Sequence, residues 1–339
     1  MNRYKSPACT AAAILLLLLL FAANLLSGSV DIPAGDVWDI LTGGTPARPG
    51  WAYIIRESRL PQACTALLCG SALAAGGLML QTSFRNPLAD PSILGINSGA
   101  GLGVAVVVLL LGGSIGGSFQ LSGFLLMLAG AFAGAMLVMA AILTLSTLIR
   151  SNVMLLIAGI MTGYLTSSAI SLLNYSASAE GVRSYVLWGM GSFGNVTLDR
   201  LPLFAAVTLA GILASLLLIK PLNALLLGEN YARNLGIPTR RVRHLLLLVV
   251  GLLSAATTAF CGPVSFIGLA VPHVARLLLG TDNHRLLLPF TLLCGGATAL
   301  LCNLACTLPG DSGLIPLNAV TPLFGAPMVI YVILRCKVQ

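Results

Sequence analysis

The chain has 339 residues, of which 57% are apolar and 8% are charged, and its mean hydropathy is +0.97. A soluble domain carries about 25% charged residues, so this composition excludes a soluble protein and indicates an integral membrane protein. The formal net charge is +8, which basic residues near an anionic membrane surface explain without nucleic acid as a partner.

Long uncharged runs predict about ten transmembrane helices in a single domain, residues 1–339. Each run is long enough for a span of about 20 residues, and the leucine run at 15–20 lacks the alternation of a membrane β-strand. The span at 264–279 is short and is alternatively a half-span or a re-entrant element. The predicted fold class is all-α and polytopic, with spans at 8–26, 60–80, 93–111, 121–149, 152–173, 201–219, 242–262, 264–279, 286–307 and 315–334.

The first predicted span also resembles a secretory signal, because Ala22 and Ala23 stand near its end. Its apolar core is longer than a typical signal core, which favours a retained first helix. An even number of spans places both termini on one side of the membrane. With the N-terminus inside, the inner ends hold thirteen of the eighteen Lys and Arg residues and the outer loops hold five. This distribution predicts cytoplasmic N- and C-termini.

A polar loop with two prolines lies between the second and third spans. It reads Arg-Asn-Pro-Leu-Ala-Asp-Pro at 85–91. Backbone at membrane depth must satisfy its own hydrogen bonds unless it lies at the surface or lines a cavity. Packing alone does not explain such a loop, so we interpret it as a working part of the protein.

The longest predicted inner loop, at 220–238, indicates two short helices that are separated at Gly228 and end at Gly236 and Pro238. We interpret this segment as a docking surface, with Glu229 and Arg233 as an exposed i,i+4 pair. The alternative is a helical pair that lies on the membrane or on the parent bundle. The apolar residues proposed to fill a partner's cleft are Leu225, Leu226, Leu227, Ala232 and Leu235.

Charged residues are absent from the middle of the predicted spans, whereas carriers driven by protons or sodium place such residues there. The sequence also lacks the Gly-x4-Gly-Lys-Ser/Thr motif of a nucleotide-binding loop. A secondary carrier is therefore disfavoured, and another protein would supply the energy for transport. A membrane enzyme such as an intramembrane protease is disfavoured because no predicted span holds a paired Asp. No metal site is expected, because Cys302 and Cys306 share a helix face without a nearby His or carboxylate.

The chain contains an ordered set of short motifs: Arg59-Leu-Pro, Asn86-Pro-Leu-Ala-Asp-Pro, Leu94-Gly, Ser98-Gly-Ala, Gly228-Glu-x3-Arg-x-Leu-Gly236, Gly262-Pro-x2-Phe-x-Gly-Leu, Pro272-His-x-Ala-Arg276 and Gly325-Ala-Pro327. Together they resemble the permease subunits of bacterial ABC importers for iron-siderophores, haem and cobalamin, over about residues 8–335. The resemblance implies a type II importer permease in the bacterial inner membrane. It also implies a homodimer that binds two cytoplasmic ATP-binding subunits and an extracytoplasmic binding protein. ATP and Mg²⁺ would then be on the partner subunit, so this chain would hold no cofactor and catalyse no reaction.

The resemblance also assigns residues to coupling and to gating. Asn86 and Leu88 match a loop that helps to close the cytoplasmic end of the pathway in relatives, while Ser151 and Asn152 fall at a second constriction with a poorer match. The short helices at 221–238 match the family's coupling helices, which sit in the ATPase cleft. The coupling residues are Gly228, Glu229, Arg233, Leu235 and Gly236.

Arg56 and Arg59 match outer arginines that pair with acidic groups of the binding protein, where exposed charges give steering more than affinity. The alternative for Arg56 is an interfacial charge that reaches towards the membrane surface. His273 is interpreted as structural, and Asn318 departs from the glycine that relatives more often have. Ferric siderophore is the first choice of cargo on family breadth alone, with haem or cobalamin next.

Overall fold

The computed structural model describes residues 5–110, 120–149, 151–307 and 315–336. Every regular element within these residues is helical, and none of them lies in a β-strand. The predicted all-α class is confirmed. The described residues form fifteen α-helices: α1 Lys5–Leu26, α2 Ala34–Thr42, α3 Pro49–Tyr53, α4 Leu60–Phe84, α5 Ile96–Ala105, α6 Gln120–Leu148, α7 Asn152–Ser176, α8 Ala179–Gly189, α9 Leu201–Leu217, α10 Ile219–Leu226, α11 Glu229–Asn234, α12 Thr239–Cys261, α13 Ile267–Leu279, α14 His284–Thr307 and α15 Leu317–Cys336.

Each of the ten predicted spans coincides with one of these helices, although residue 111, the end of the third span, lies outside the described residues. Among the described residues, six helices are long and apolar enough to cross a membrane, and the pair α9 and α10, bent by 51°, would make a seventh. The other three are shorter apolar helices: α5 with its continuation to Leu110, α13, and α15. The count of ten spans therefore stays a prediction.

The short span that sequence analysis singled out is short in the structure as well. Helix α13 has 13 residues, which at 1.5 Å per residue make about 20 Å. The hydrocarbon core of a bilayer is about 30 Å thick. The helix begins only at Ile267, because the preceding segment contains Pro263 and Phe266, whose φ of 69° is left-handed.

Helix α4 lies at the centre of the bundle and packs against α9, α12, α13 and α14. Two glycines allow this packing. A Cβ atom on Gly70 would lie 2.2 Å from the carbonyl oxygen of Gly295 in α14, and one on Gly77 would lie 1.8 Å from that of Gly268 in α13. Small residues thus bring the helix backbones into direct contact, as is common in membrane bundles.

The peripheral helices expose large apolar side chains. In α1, Leu15 and Leu19 are each 59% exposed, and in α7, Leu165 is 72% exposed. Apolar surface of this extent is suited to lipid or to another membrane subunit. The central helices are buried within the chain itself.

Asn318, the residue that departs from the resembling family, joins three segments at the start of α15. Its Nδ2 atom donates to the carbonyl oxygens of Gly189 at 2.9 Å and Pro263 at 2.6 Å, and its backbone N–H donates to Met190 at 3.1 Å. A glycine at this position would lack both side-chain bonds. The asparagine therefore fixes the end of α8 and the segment after α12 to the last helix.

Candidate functional site

The two short helices that sequence analysis predicted at 221–238 are present as α10 and α11. They are separated at Gly228, whose φ of +112° is a conformation that L-residues rarely adopt. Gly236 has a φ of +78° and follows the end of α11. Glycines at these two points therefore allow the chain to turn twice within a few residues before α12 begins.

Glu229 joins α11 to the first turns of α12. Its Oε1 atom accepts from the Arg233 guanidinium at 2.8 Å and from the Thr239 hydroxyl at 3.3 Å, and its Oε2 atom lies 3.6 Å from Arg243. The Arg233 and Glu229 side chains are 55% and 38% exposed. The predicted i,i+4 pair is present, but the carboxylate also bonds across to α12, which the sequence reading did not include.

The apolar residues of the short helices divide into two groups. Leu225 is 8% exposed and Ala232 is fully buried in the core of this chain, so the prediction that they fill a partner's cleft is wrong. The physical reason is that α10 and α11 are amphipathic and pack one face on their own bundle. Leu227, Tyr231 and Leu235 point away from it, at 64%, 49% and 58% exposure. This exposed group is available to a partner.

A cavity of about 300 Å³ lies between the end of α6 and the junction of α11 and α12. It brings the segment that precedes Ser151 next to the short helices, and its walls are strongly basic. Its lining residues are Ser146, Thr147, Ile149, Glu229, Arg233, Arg240, Arg243 and His244.

The loop that follows α4 is shaped by Asn86. Its backbone N–H donates to the Gln81 carbonyl at 3.1 Å, and its side-chain Oδ1 accepts from the N–H of Leu88 at 2.9 Å. This is the local side-chain to main-chain bond for which asparagine is favoured in turns. Leu88 itself is 39% exposed. Asn86 thus holds the turn, while Leu88 presents an apolar side chain at the surface of the chain.

His273 of α13 holds the same loop from the other side. Its Nε2 atom lies 2.8 Å from the carbonyl oxygen of Pro87, and its side chain is buried. A structural role for this histidine was expected from the sequence, but its contact with the loop was not, since 186 residues separate the two partners. The sequence feature that His273 and Pro87 have in common is that each lies in one of the ordered motifs named above.

Asp90 closes the loop with a buried carboxylate. Its Oδ2 atom accepts from the backbone N–H of Ser92 at 3.0 Å and from the Ser92 hydroxyl. Burial raises the pKa of the Asp90 carboxyl, and the two bonds from Ser92 oppose that rise. Its Oδ1 atom has no hydrogen-bond partner among the described residues, so this environment disfavours the charged carboxylate relative to water.

Ser151 and Asn152 lie at the start of α7. The Ser151 hydroxyl accepts from the N–H of Met154 at 3.4 Å and caps the helix, and Asn152 is its first residue. Farther along α7, a Cβ atom on Gly159 would lie 3.0 Å from the carbonyl oxygen of Ile93, in the turn after the loop. Helix α7 therefore packs against the turn that follows the loop, and the gating role of Ser151 and Asn152 stays a prediction.

Arg59 is not available to a binding protein, which corrects the prediction for this residue. The residue is 6% exposed, and its guanidinium donates to the carbonyl oxygens of Leu25 at 2.9 Å, Leu26 at 2.8 Å and Val30. These groups include the last carbonyls of α1, which have no partner within the helix. Arg59 therefore caps α1 from inside the fold.

Arg56 differs from Arg59 in its exposure. It lies on the surface of the chain, and its Nη2 atom donates to the Ile40 carbonyl at 2.9 Å. That bond attaches the turn to the end of α2 and leaves part of the guanidinium open. The docking assignment for Arg56 stays a prediction.

Within the described residues, no group of three or more His, Cys, Asp or Glu side chains lies together in a way that could hold a metal ion. Cys302 and Cys306 are buried free thiols. The expectation that this chain carries no metal or cofactor stays a prediction.

Comparison with known proteins extends over nearly the whole chain. The sequence profile of the FecCD transport family matches residues 15–335. The chain is 35% identical over 320 residues to the vitamin B12 import system permease protein BtuC of Salmonella typhi and to that of Salmonella newport, with 94% of each chain covered. It is also similar to a solved inward-facing structure of a metal-chelate type ABC transporter, with a TM-score of 0.84, 29% identity, and coverage of 97% of this chain and 99% of the other. The matched range includes the loop at 85–91 and both short helices.

Proposed function

Because the chain belongs to the FecCD transport family, we propose that it is the permease of a bacterial importer that moves a bulky metal chelate inward across the inner membrane. A type II ABC importer permease for metal chelates is the function that the family match and the relatives support. The single observation that carries it is the family match over residues 15–335.

The energy for transport would come from ATP hydrolysed by a partner, and this chain would be non-catalytic. ABC importers of this family work with ATP-binding subunits and a substrate-binding protein. The exposed group Leu227, Tyr231 and Leu235, together with the half-exposed Arg233, is the surface we assign to the ATP-binding subunit. Two copies of this chain would form the pathway as a homodimer.

The orientation of the chain would place both termini in the cytoplasm, with the short helices on the same side. The basis is the excess of Lys and Arg at the inner ends. The test uses a variant in which the eight native cysteines have been replaced and a single cysteine is placed at 230 or at 178. Cells whose outer membrane has been made permeable, with the inner membrane intact, are treated with a thiol reagent that does not cross membranes. Labelling at 178 and protection at 230 are expected. The reverse pattern would invert the topology.

Two cargoes are candidates. Ferric siderophore was the first choice from the sequence, on family breadth. Cobalamin is favoured by a specific observation, since the relatives at 35% identity over 94% of both chains are vitamin B12 permeases. We therefore place cobalamin first and ferric siderophore second.

Uptake by the complete importer decides between these cargoes. Proteoliposomes that contain the chain, its ATP-binding subunit and its binding protein are supplied with radiocobalt-labelled cobalamin or with a radioiron-labelled ferric hydroxamate. Saturable, ATP-dependent accumulation of cobalamin alone is expected. Accumulation of the ferric hydroxamate alone would reverse the order, and accumulation of neither would reject both cargoes.

A further inference from the structure

Three buried or half-buried polar side chains join the first short helix to the end of α4. Asn223 lies in α10, His284 is the first residue of α14 and is fully buried, and Thr82 lies in the last turn of α4. The Asn223 Oδ1 atom is 2.8 Å from the backbone nitrogen of His284 and 3.0 Å from its Nδ1 atom. The Nε2 atom of the same ring is 2.8 Å from the Thr82 hydroxyl.

The direction of each hydrogen bond follows from the partners. Asn223 donates through Nδ2 to the Oδ1 atom of Asn283 at 3.0 Å, so its Oδ1 atom faces His284 and can only accept. The Nδ1 atom of His284 must then carry the proton. Burial favours the neutral ring, in which Nε2 is an acceptor. The Thr82 hydroxyl is the donor beside it, and its single proton is shared between Nε2 at 2.8 Å and the Leu78 carbonyl of its own helix at 3.0 Å. Every atom of the ring that can hydrogen-bond is thus used in joining two helices.

The chain of bonds ends beside the loop at 85–91. Thr82 follows Gln81, whose carbonyl oxygen accepts from the N–H of Asn86 at 3.1 Å, the bond with which the loop begins. The loop is held on its other side by His273 through the Pro87 carbonyl at 2.8 Å. A displacement of α10 would therefore reach the loop through His284 and the last turn of α4, without passing through solvent.

We propose that His284 is a positioning residue that transmits movement of the first short helix to the cytoplasmic gate loop through Asn223 and Thr82. This inference rests on the proposed function, because it takes α10 as the element that the ATP-binding subunit moves. Buried hydrogen bonds at both ring nitrogens make the link stiff, since breaking either leaves a buried polar group without a partner. A histidine that only filled space would tolerate any side chain of similar volume.

Two conservative variants separate transmission from space filling. In His284→Asn the amide can replace the Nδ1 contact to Asn223 but not the contact to Thr82, and His284→Gln can replace the contact to Thr82 but not the one to Asn223. Thr82→Val removes the hydroxyl alone. Thr291→Val is the matched control, because Thr291 is a fully buried threonine of α14 whose hydroxyl, among the described residues, bonds only to Leu287 of its own helix, at 2.7 Å. The Thr82 hydroxyl makes the same kind of bond within α4, to Leu78 at 3.0 Å, in addition to its contact with His284.

The measured quantity is the amount of chelate transported for each ATP hydrolysed by the complete importer in proteoliposomes. The substrate is labelled cobalamin or labelled ferric hydroxamate, whichever the wild type transports. His284→Asn, His284→Gln and Thr82→Val should each lower this ratio by roughly fivefold or more, within the usual range of coupling between sites. Thr291→Val should not. Because the contacts act in series, His284→Asn combined with Thr82→Val should be no worse than either alone.

Ratios within about twofold of the wild type for Thr82→Val and for either histidine variant would overturn the relay. So would equal losses in Thr82→Val and Thr291→Val. If the histidine variants fail to assemble, the comparison of the two threonine variants still decides. Failure of the wild type to transport either chelate would instead count against the proposed function, so the two failures are distinguishable.

Discussion

Replacing Glu229 with alanine tests how the second short helix is held, because this carboxylate has three partners of unequal strength. The pair with Arg233 is solvent-exposed at i,i+4, and such pairs contribute about 0.5 kcal/mol. The bonds to Thr239 and Arg243 reach into α12, where the Arg243 side chain is only 14% exposed. Each of these two contacts contributes on the order of 1 kcal/mol. Their loss should weaken the attachment of α11 by about 2 kcal/mol in total, a factor of about 30 in population.

This ranking predicts an order among variants. Glu229→Ala should reduce transport per ATP almost as far as the double replacement of Glu229 and Arg233 by alanine. Arg233→Ala alone removes the exposed pair and the 3.2 Å contact of its Nε atom with Thr239, but it leaves Glu229 bonded to α12, so it should reduce transport per ATP less. Glu180→Ala, which removes an exposed carboxylate from α8, is the control for loss of one negative charge.

The assay measures chelate uptake and ATP hydrolysis in parallel, together with the amount of ATP-binding subunit that co-purifies with each variant. A Glu229→Ala complex that assembles and couples like the wild type would refute the reasoning. A larger loss in Arg233→Ala than in Glu229→Ala would refute it as well, because it would assign the effect to the exposed pair.

Three further predictions concern the outer arginines, the helix packing and the buried acid. Arg59→Ala should lower the unfolding midpoint of the purified protein, since each buried carbonyl left unpaired costs about 1–3 kcal/mol, while Arg56→Glu should keep the midpoint and slow association with the binding protein. An unchanged midpoint in Arg59→Ala would contradict the capping role. Gly77→Ala should strongly reduce folded yield because of the 1.8 Å approach, and Gly35→Ala, with nothing within 4 Å, should not; equal yields would contradict the close packing. Because the pKa of the Asp90 carboxyl is raised in the fold, stability should fall as pH rises through that pKa, and Asp90→Asn should remove the fall. Identical pH profiles of the two midpoints would contradict the raised pKa of Asp90.

Hydropathy and turn chemistry were sufficient for the long helices of this fold and for the two short ones at 221–238, but they did not predict α2, α3 and α8. The uncharged runs located all ten predicted helices, and the break at Gly228 followed from a residue type that alone tolerates the backbone angle there. These features are local in sequence. The residues that cause each helix or turn lie within a short stretch of sequence, so predicting it needs no knowledge of the tertiary structure.

The orientation of side chains was predicted less well. Arg59 was assigned to a partner because it matches outer arginines of the resembling family, but the end of α1 and the turn after it supply three carbonyl groups that it binds. Leu225 and Ala232 were assigned to a partner because they are apolar, yet their own bundle covers them. In each case the deciding neighbour is distant in the sequence or on another helix.

The hydrogen bonds between helices could not be predicted from the sequence for the same reason. His284 and Asn223 are 61 residues apart, and His284 and Thr82 are 202 apart. No periodicity or motif joins them, since hydrogen bonds between helices depend on packing that a single sequence does not state. The family resemblance located the loop and the short helices but did not include the contacts between them.

The central claim is that this chain is a permease whose energy comes from a partner ATPase. The most direct test compares proteoliposomes that contain the chain alone with those that contain the chain, its ATP-binding subunit and its binding protein, each supplied with ATP and labelled chelate. The chain alone should hydrolyse no ATP and accumulate no chelate, and the complex should do both. ATP hydrolysis by the isolated chain, or chelate accumulation without the ATP-binding subunit, would contradict the account.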